Sequence, residues 1–205
     1  RRQRQMCIRD RAQLINIHNQ FFNCEKIEMI NINKIKEFTY KLGNDREILF
    51  MDIALAILKK KIVNSCLNLM PHYSEIPKEK WKDTFINNTK MKEMWESQII
   101  LGEKDIFKGK SGVIQMPTSS GKTASVALAI QSSFLSNRTS LAIVIAPFRA
   151  LCREIMFDLE NFFKFDDNIS IMEFNDIPES DEINDISLGC SSVSYTHLRA
   201  HETAA

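Results

Sequence analysis

Residues 116–123, Met-Pro-Thr-Ser-Ser-Gly-Lys-Thr, restrict the possible folds of this 205-residue chain more than any other stretch. Small residues followed by Gly-Lys-Thr supply what a polyphosphate needs. Backbone N–H groups stand clear of side chains, Lys122 brings an ammonium for the β and γ phosphates, and Thr123 brings a hydroxyl for magnesium. Such a loop is expected between a strand and a helix. Gly112 to Met116 reads as a short buried strand, and residues 123–134 (TASVALAIQSSF) read as a helix whose N-terminus faces the anion.

The two ends carry a different signature. RRQRQMCIRDR (1–11) and VSYTHLRAHET (193–203) both match the in-frame translation of a transposase-library sequencing adaptor. Residues 1–11 and 193–205 are therefore set apart from fold reasoning as one would a tag, and 12–192 is expected to be an internal fragment. The charge balance changes with them. The whole chain has 27 Lys plus Arg against 26 Asp plus Glu, a net of +1. Residues 1–11 hold five Arg and one Asp, and 193–203 one Arg and one Glu, so the remainder carries −3. A basic N-terminal arm would otherwise suggest nucleic acid or a membrane surface from charge alone. His197, His201 and Glu202 likewise imitate a helical metal site but fall inside the adaptor match.

What remains is apolar enough to bury a core. No apolar run approaches the ~18 residues of a membrane span, so the expectation is a soluble, cytoplasmic chain without membrane partners. Cys24, Cys66, Cys152 and Cys190 show no paired short spacing, which argues for plain thiols over a zinc or disulfide framework.

Residues 12–94 carry helical patterning and form an expected all-helical accessory region, a candidate partner-binding module. Asn44 or Asp45 caps a helix over residues 46–69, with Ile48, Met51, Leu55, Leu58 and Ile62 on one face and Pro71 as its stop. Lys59, Lys60 and Lys61 suit a solvated helix end near the C-terminal dipole. After Pro77, one or two further helices lead to the loop. From Gly112 the pattern becomes GVIQMP, TASVALAIQSSFL, LAIVIAP, RALCREIMFDLENFF and ISIMEF, a βαβαβ series. The fold class is thus α/β, with a parallel sheet covered by helices and ligands at the carboxyl ends of its strands, where Lys122 and Pro147 lie. In the second helix Leu151, Ile155, Leu159 and Phe162 share one face, expected to be core.

Three features together resemble superfamily 2 DEAD/DEAH-type helicases, over residues 95 to about 165. The loop lacks the usual opening Gly and reads Met-Pro-Thr-Ser-Ser-Gly-Lys-Thr, like motif I of that group. Gln98 precedes Lys122 by 24 positions, as the adenine-reading glutamine of the Q motif does, its amide carrying both donor and acceptor. IAPFRALCREI (145–155) is similar to motif Ia. The Pro-Phe-Arg-Ala-Leu and Pro-Thr-Ser-Ser forms look most like Ski-type and related large helicases. The resemblance implies an incomplete RecA-like P-loop domain over 95–192. It implies ATP and magnesium as cofactors, held by Gln98, Pro117, Thr118, Ser119, Ser120, Gly121, Lys122 and Thr123, with Lys122 and Thr123 catalytic and Thr123 on the metal. DNA or RNA is the implied partner, its backbone touched by Pro147 and Arg149, where charge rather than base readout serves tracking.

No Walker B carboxylate follows an apolar strand here. Asp181, Glu182 and Asp185 sit in ESDEIND behind Ile177-Pro178-Glu179-Ser180, which reads as a solvated acidic loop. The parent is accordingly expected to hydrolyse ATP and this fragment only to bind it. A double-strand DNA translocase of the remodelling or restriction type shares the same core, and a P-loop kinase shares the loop alone. The kinase gives no role to Gln98 or Arg149.

Overall fold

The computed structural model describes residues 2–88, 91–174 and 191–196. The chain folds as two compact units, one of residues 1–69 and 85–94, the other of residues 70–84 and 95–205.

Helices dominate the first unit. They are α1 (Arg2–Phe22), α2 (Met29–Leu42) and α3 (Asp45–Val63), followed by the start of α4 (Cys66–Ser74) and the end of α5 (Lys78–Asn87). Helix α3 starts where a reciprocal capping box closes it. The Asn44 side chain accepts from the Glu47 N–H at 3.0 Å while the Glu47 carboxylate accepts from the Asn44 N–H at 3.0 Å. Most of the expected apolar face packs: Leu55 and Leu58 are buried with Ile17, Ile32 and Ile35, flanked by Met51 and Ile62, while Ile48 is half-buried outside this cluster. Lys60 is solvated, and Lys61 meets Glu93 at 3.0 Å.

The single helix over 46–69 is corrected to two, and Pro71 does not stop it. The break falls at Asn64 and Ser65, whose backbone leaves the helix to pair with residues 92–94. Cys66 N–H donates to the Lys92 carbonyl at 3.0 Å and Met94 N–H to the Asn64 carbonyl at 2.8 Å. Pro71 lies inside α4, where it withholds one donor without ending the helix. Termination comes at Glu75, whose φ of 59° is left-handed.

The second unit holds α6 (Glu96–Glu103), a 3-10 turn (Ile106–Lys108), α7 (Lys122–Leu135), β1 (Leu141–Ile145), α8 (Arg149–Phe163), β2 (Ile169–Phe174) and β3 (Ser191–Thr196). Three parallel strands pair in the order β1-β3-β2. Its core brings Ala127, Ile130 and Phe134 of α7 against Leu159 and Phe163 of α8, with Val144 and Ile171 of the sheet beside them. The apolar stripe of α7 therefore does two jobs. It anchors the helix in the core and so fixes where its first turn stands.

Two expectations change here. Residues 112–116 are not a buried strand: they run without strand pairing, and Val113 is fully exposed. A strand needs a neighbour for its N–H and C=O groups, and none of the three described strands is paired with it. In α8 the core face includes Cys152 rather than Leu151, which is 37% exposed; Ile155, Leu159 and Phe162 lie on the packed side as expected. Residues 193–196, part of the segment set apart as adaptor, form most of the middle strand. Val, Tyr and Thr are strong strand formers, and a segment between β1 and β2 satisfies backbone groups on both sides. The acidic residues 179–185, Cys190 and the His197, His201 and Glu202 set lie outside the described residues. No helix among the described residues is long and apolar enough to cross a membrane.

Candidate nucleotide site

The loop owes its shape to two left-handed residues. Gly121, at φ 81° and ψ 36°, is the N-cap of α7, and Ser119 has φ 61°. Glycine adopts this conformation at no steric cost, and here it also admits a close neighbour. A Cβ built on Gly121 would stand 3.1 Å from Gln98 Nε2 and 3.6 Å from Cε3 of Trp95. The Ser120 hydroxyl donates to the Pro117 carbonyl at 2.7 Å, closing the turn on itself. The Ser97 hydroxyl donates to the Ser120 carbonyl at 2.8 Å, tying α6 to the loop.

Helix α7 begins without a side-chain cap. Its first N–H groups lack intrahelical partners by geometry, and the aligned peptide dipoles place partial positive charge there. Lys122 adds a full charge at the first helical position. Its side chain is exposed and makes no ion pair among the described residues. Thr123 follows, half-buried. Ser125 is turned to structural use, its hydroxyl and N–H both donating to the Gly121 carbonyl at 2.9 Å. The arrangement is a concentration of donors and positive charge, chemically suited to a polyphosphate with its divalent ion.

Gln98 is 3% exposed, at the third position of α6. Its Oε1 accepts from the Trp95 N–H at 2.9 Å, which uses one acceptor site of the amide, while Nε2 faces Gly121. The structure thus brings Gln98 together with the 116–123 loop. Pro117, Thr118 and Ser119 are exposed on the loop surface. Pro147 lies in the connection between β1 and α8, Arg149 is the first residue of α8, and both are exposed. Arg149 has no carboxylate partner among the described residues. Among them, too, no cluster of three or more His, Cys, Asp and Glu side chains is placed to hold a metal ion. Sequence reasoning missed Ser97 and Trp95. The signals were present: a hydroxyl next to Gln98, and a tryptophan where a helix N-cap normally takes Ser, Thr, Asp or Asn.

Residues 98–204 match the DEAD/DEAH box helicase family, just over half of the chain and starting at Gln98 itself. The chain belongs to that family. The matched span continues through the residues read as adaptor. The Hachiman protein HamB of Bacillus cereus is 36% identical over 72 residues, 35% of this chain and 6% of the relative's length. No solved structure matches. Family membership accords with the resemblance drawn from the loop, Gln98 and residues 145–155.

Proposed function

We propose that this chain is the ATP-binding portion of a nucleic-acid motor, whose parent couples ATP hydrolysis to strand separation or to movement along DNA or RNA. Residues 12–94 are its accessory helical region and 95–192 part of its first RecA-like domain, with adaptor-derived residues at 1–11 and 193–205. One observation supports the reading most: α7 opens on a left-handed Gly121 with no side-chain cap, directly before Lys122 and Thr123. Lys122 would neutralise the β and γ phosphates, Thr123 would hold magnesium, and Gln98 would face the base. When bound, the magnesium ion supplies further charge neutralisation of the phosphates. Phosphoryl transfer asks mainly for positioning and electrostatic stabilisation, which is what these residues provide.

Pro147 and Arg149, which has no carboxylate partner among the described residues, would grip the sugar-phosphate backbone. Such a contact is indifferent to sequence, as a tracking motor requires. Alone, the chain would bind ATP without turning it over. The double-strand DNA translocase remains the second reading, because the same ATPase core serves both. ATP-driven strand-displacement and triplex-displacement assays on the full-length parent separate them. The helicase reading expects strand displacement; triplex displacement without strand separation would replace it by the translocase.

A further inference from the structure

Helix α3 is apolar on two sides. Leu55 and Leu58 pack inward with residues of α1 and α2, while Leu49, Phe50, Ile53 and Ile57 are 59, 58, 49 and 54% exposed. Steps of one, three and four residues keep these four on a single helix face, with the exposed Ala56 among them. Tyr40 of α2, itself exposed, borders the same face through its hydroxyl bond to Asp52. A helix with apolar residues all round is ordinarily buried all round. These side chains leave on the order of 500 Å² of apolar surface in water, the size at which a patch on a soluble chain marks an interaction site.

The charges at the two ends of the face differ in sign. Asp45 and Glu47 stand in the first turn, and Lys59, Lys60 and Lys61 close the helix. Laid antiparallel on itself about Ile53, α3 brings the acidic start of one copy against the basic end of the other. Ile53 then meets its own counterpart, and Phe50 lies beside Ile57. A parallel pair would instead set three Lys against three Lys. Arg46 is the one charge of the wrong sign at the acidic end, and its guanidinium lies over the Phe50 ring, 5.6 Å from the centroid. A two-fold axis makes every contact twice, so the total buried area comes to about 1,000 Å², where specific interfaces begin.

We propose that this face of α3 is a self-association surface, pairing antiparallel about Ile53 with the same face of a second copy of this chain. The pairing assigns a partner to the helical region and does not depend on the nucleotide site.

Sedimentation equilibrium of the 205-residue chain over a range of concentrations tests it, and should find twice the 23.7 kDa chain mass. Ile53→Lys sets two like charges together at the axis and should raise the dimer dissociation constant more than about 100-fold while circular dichroism keeps its helical signal. Phe157→Lys, at an exposed apolar position of α8, should change it less than about twofold. Orientation is read by cross-linking, with the wild type as the blank for the native cysteines. Under mild oxidation Ile53→Cys should join the two copies, and Lys60→Cys should not, because antiparallel pairing holds the two positions 60 about 20 Å apart. A chain that stays monomeric at every concentration would overturn the proposal and leave the face to another segment of the parent or to a different protein. So would a dimer that Ile53→Lys leaves intact or that Phe157→Lys weakens equally. Cross-linking through Lys60→Cys but not Ile53→Cys would contradict the antiparallel arrangement.

Discussion

Two helices of this chain begin in opposite ways. Helix α3 is closed by its own side chains, Asn44 and Glu47 each satisfying the other's backbone N–H. Helix α7 begins on Gly121 and brings no capping side chain. Both termini face the same electrostatic problem, orphan N–H donors at the positive end of a dipole. The first solves it internally and gains stability. The second leaves it open next to Lys122, the arrangement a bound anion completes. An uncapped terminus is informative here because the same molecule shows what capping looks like.

Gly121→Ala attacks the open terminus most severely. It forces a side chain into a left-handed backbone, costing about 1–2 kcal/mol, and sets a methyl 3.1 Å from Gln98 Nε2. Magnesium-ATP affinity should fall more than about tenfold while circular dichroism keeps its helical signal; retained affinity would show that the loop does not need this shape. Ser97→Ala removes one bond to the Ser120 carbonyl, a net loss of about 1 kcal/mol or roughly fivefold in affinity. Ser97→Thr should recover most of it. The closed terminus should respond the other way round: Asn44→Ala should lower stability by about 1 kcal/mol in denaturant unfolding and leave ATP binding unchanged. If it weakened ATP binding as much as Ser97→Ala, the contrast between the two helix starts would fail.

The smallest effect concerns acid. Asp52 accepts from the Tyr40 hydroxyl and pairs with Lys36 at 3.1 Å. The Tyr40 bond first, then Lys36, hold its carboxyl below the usual value of 3.8. A depressed folded-state pKa means stability present above the unfolded value and lost as pH falls through the folded one. Tyr40→Phe should therefore narrow the gap between wild-type and variant unfolding midpoints below pH 3.8, with the difference visible above it. A gap that widened in acid would reverse the assignment.

Much of the second unit was legible because its signals are local. The bounds of α8 and β2 coincide with the runs RALCREIMFDLENFF and ISIMEF, and α7 begins one residue before the predicted TASVALAIQSSF. Periodicity and the glycine before Lys122 carry that information within a few residues. What stayed hidden depends on distant partners. Residues 112–116 have the composition of a strand but no strand to pair with, and composition does not show that. The break at Asn64 arises from pairing with residues 92–94, so Pro71 looked like the better stop. Ser97 reaches a carbonyl 23 positions away, a contact invisible until α6 and the loop are placed together. Leu151 and Cys152 are neighbours in sequence, and only the packed sheet decides which one the core takes.

In the proposed function the uncapped start of α7 grips a triphosphate. Calorimetric titration of magnesium-ATP into the wild-type chain and into Lys122→Ala, side by side at one salt concentration, tests it most directly. Weak but measurable binding in the wild type and none in the variant is the predicted result. Equal affinity in both would contradict it.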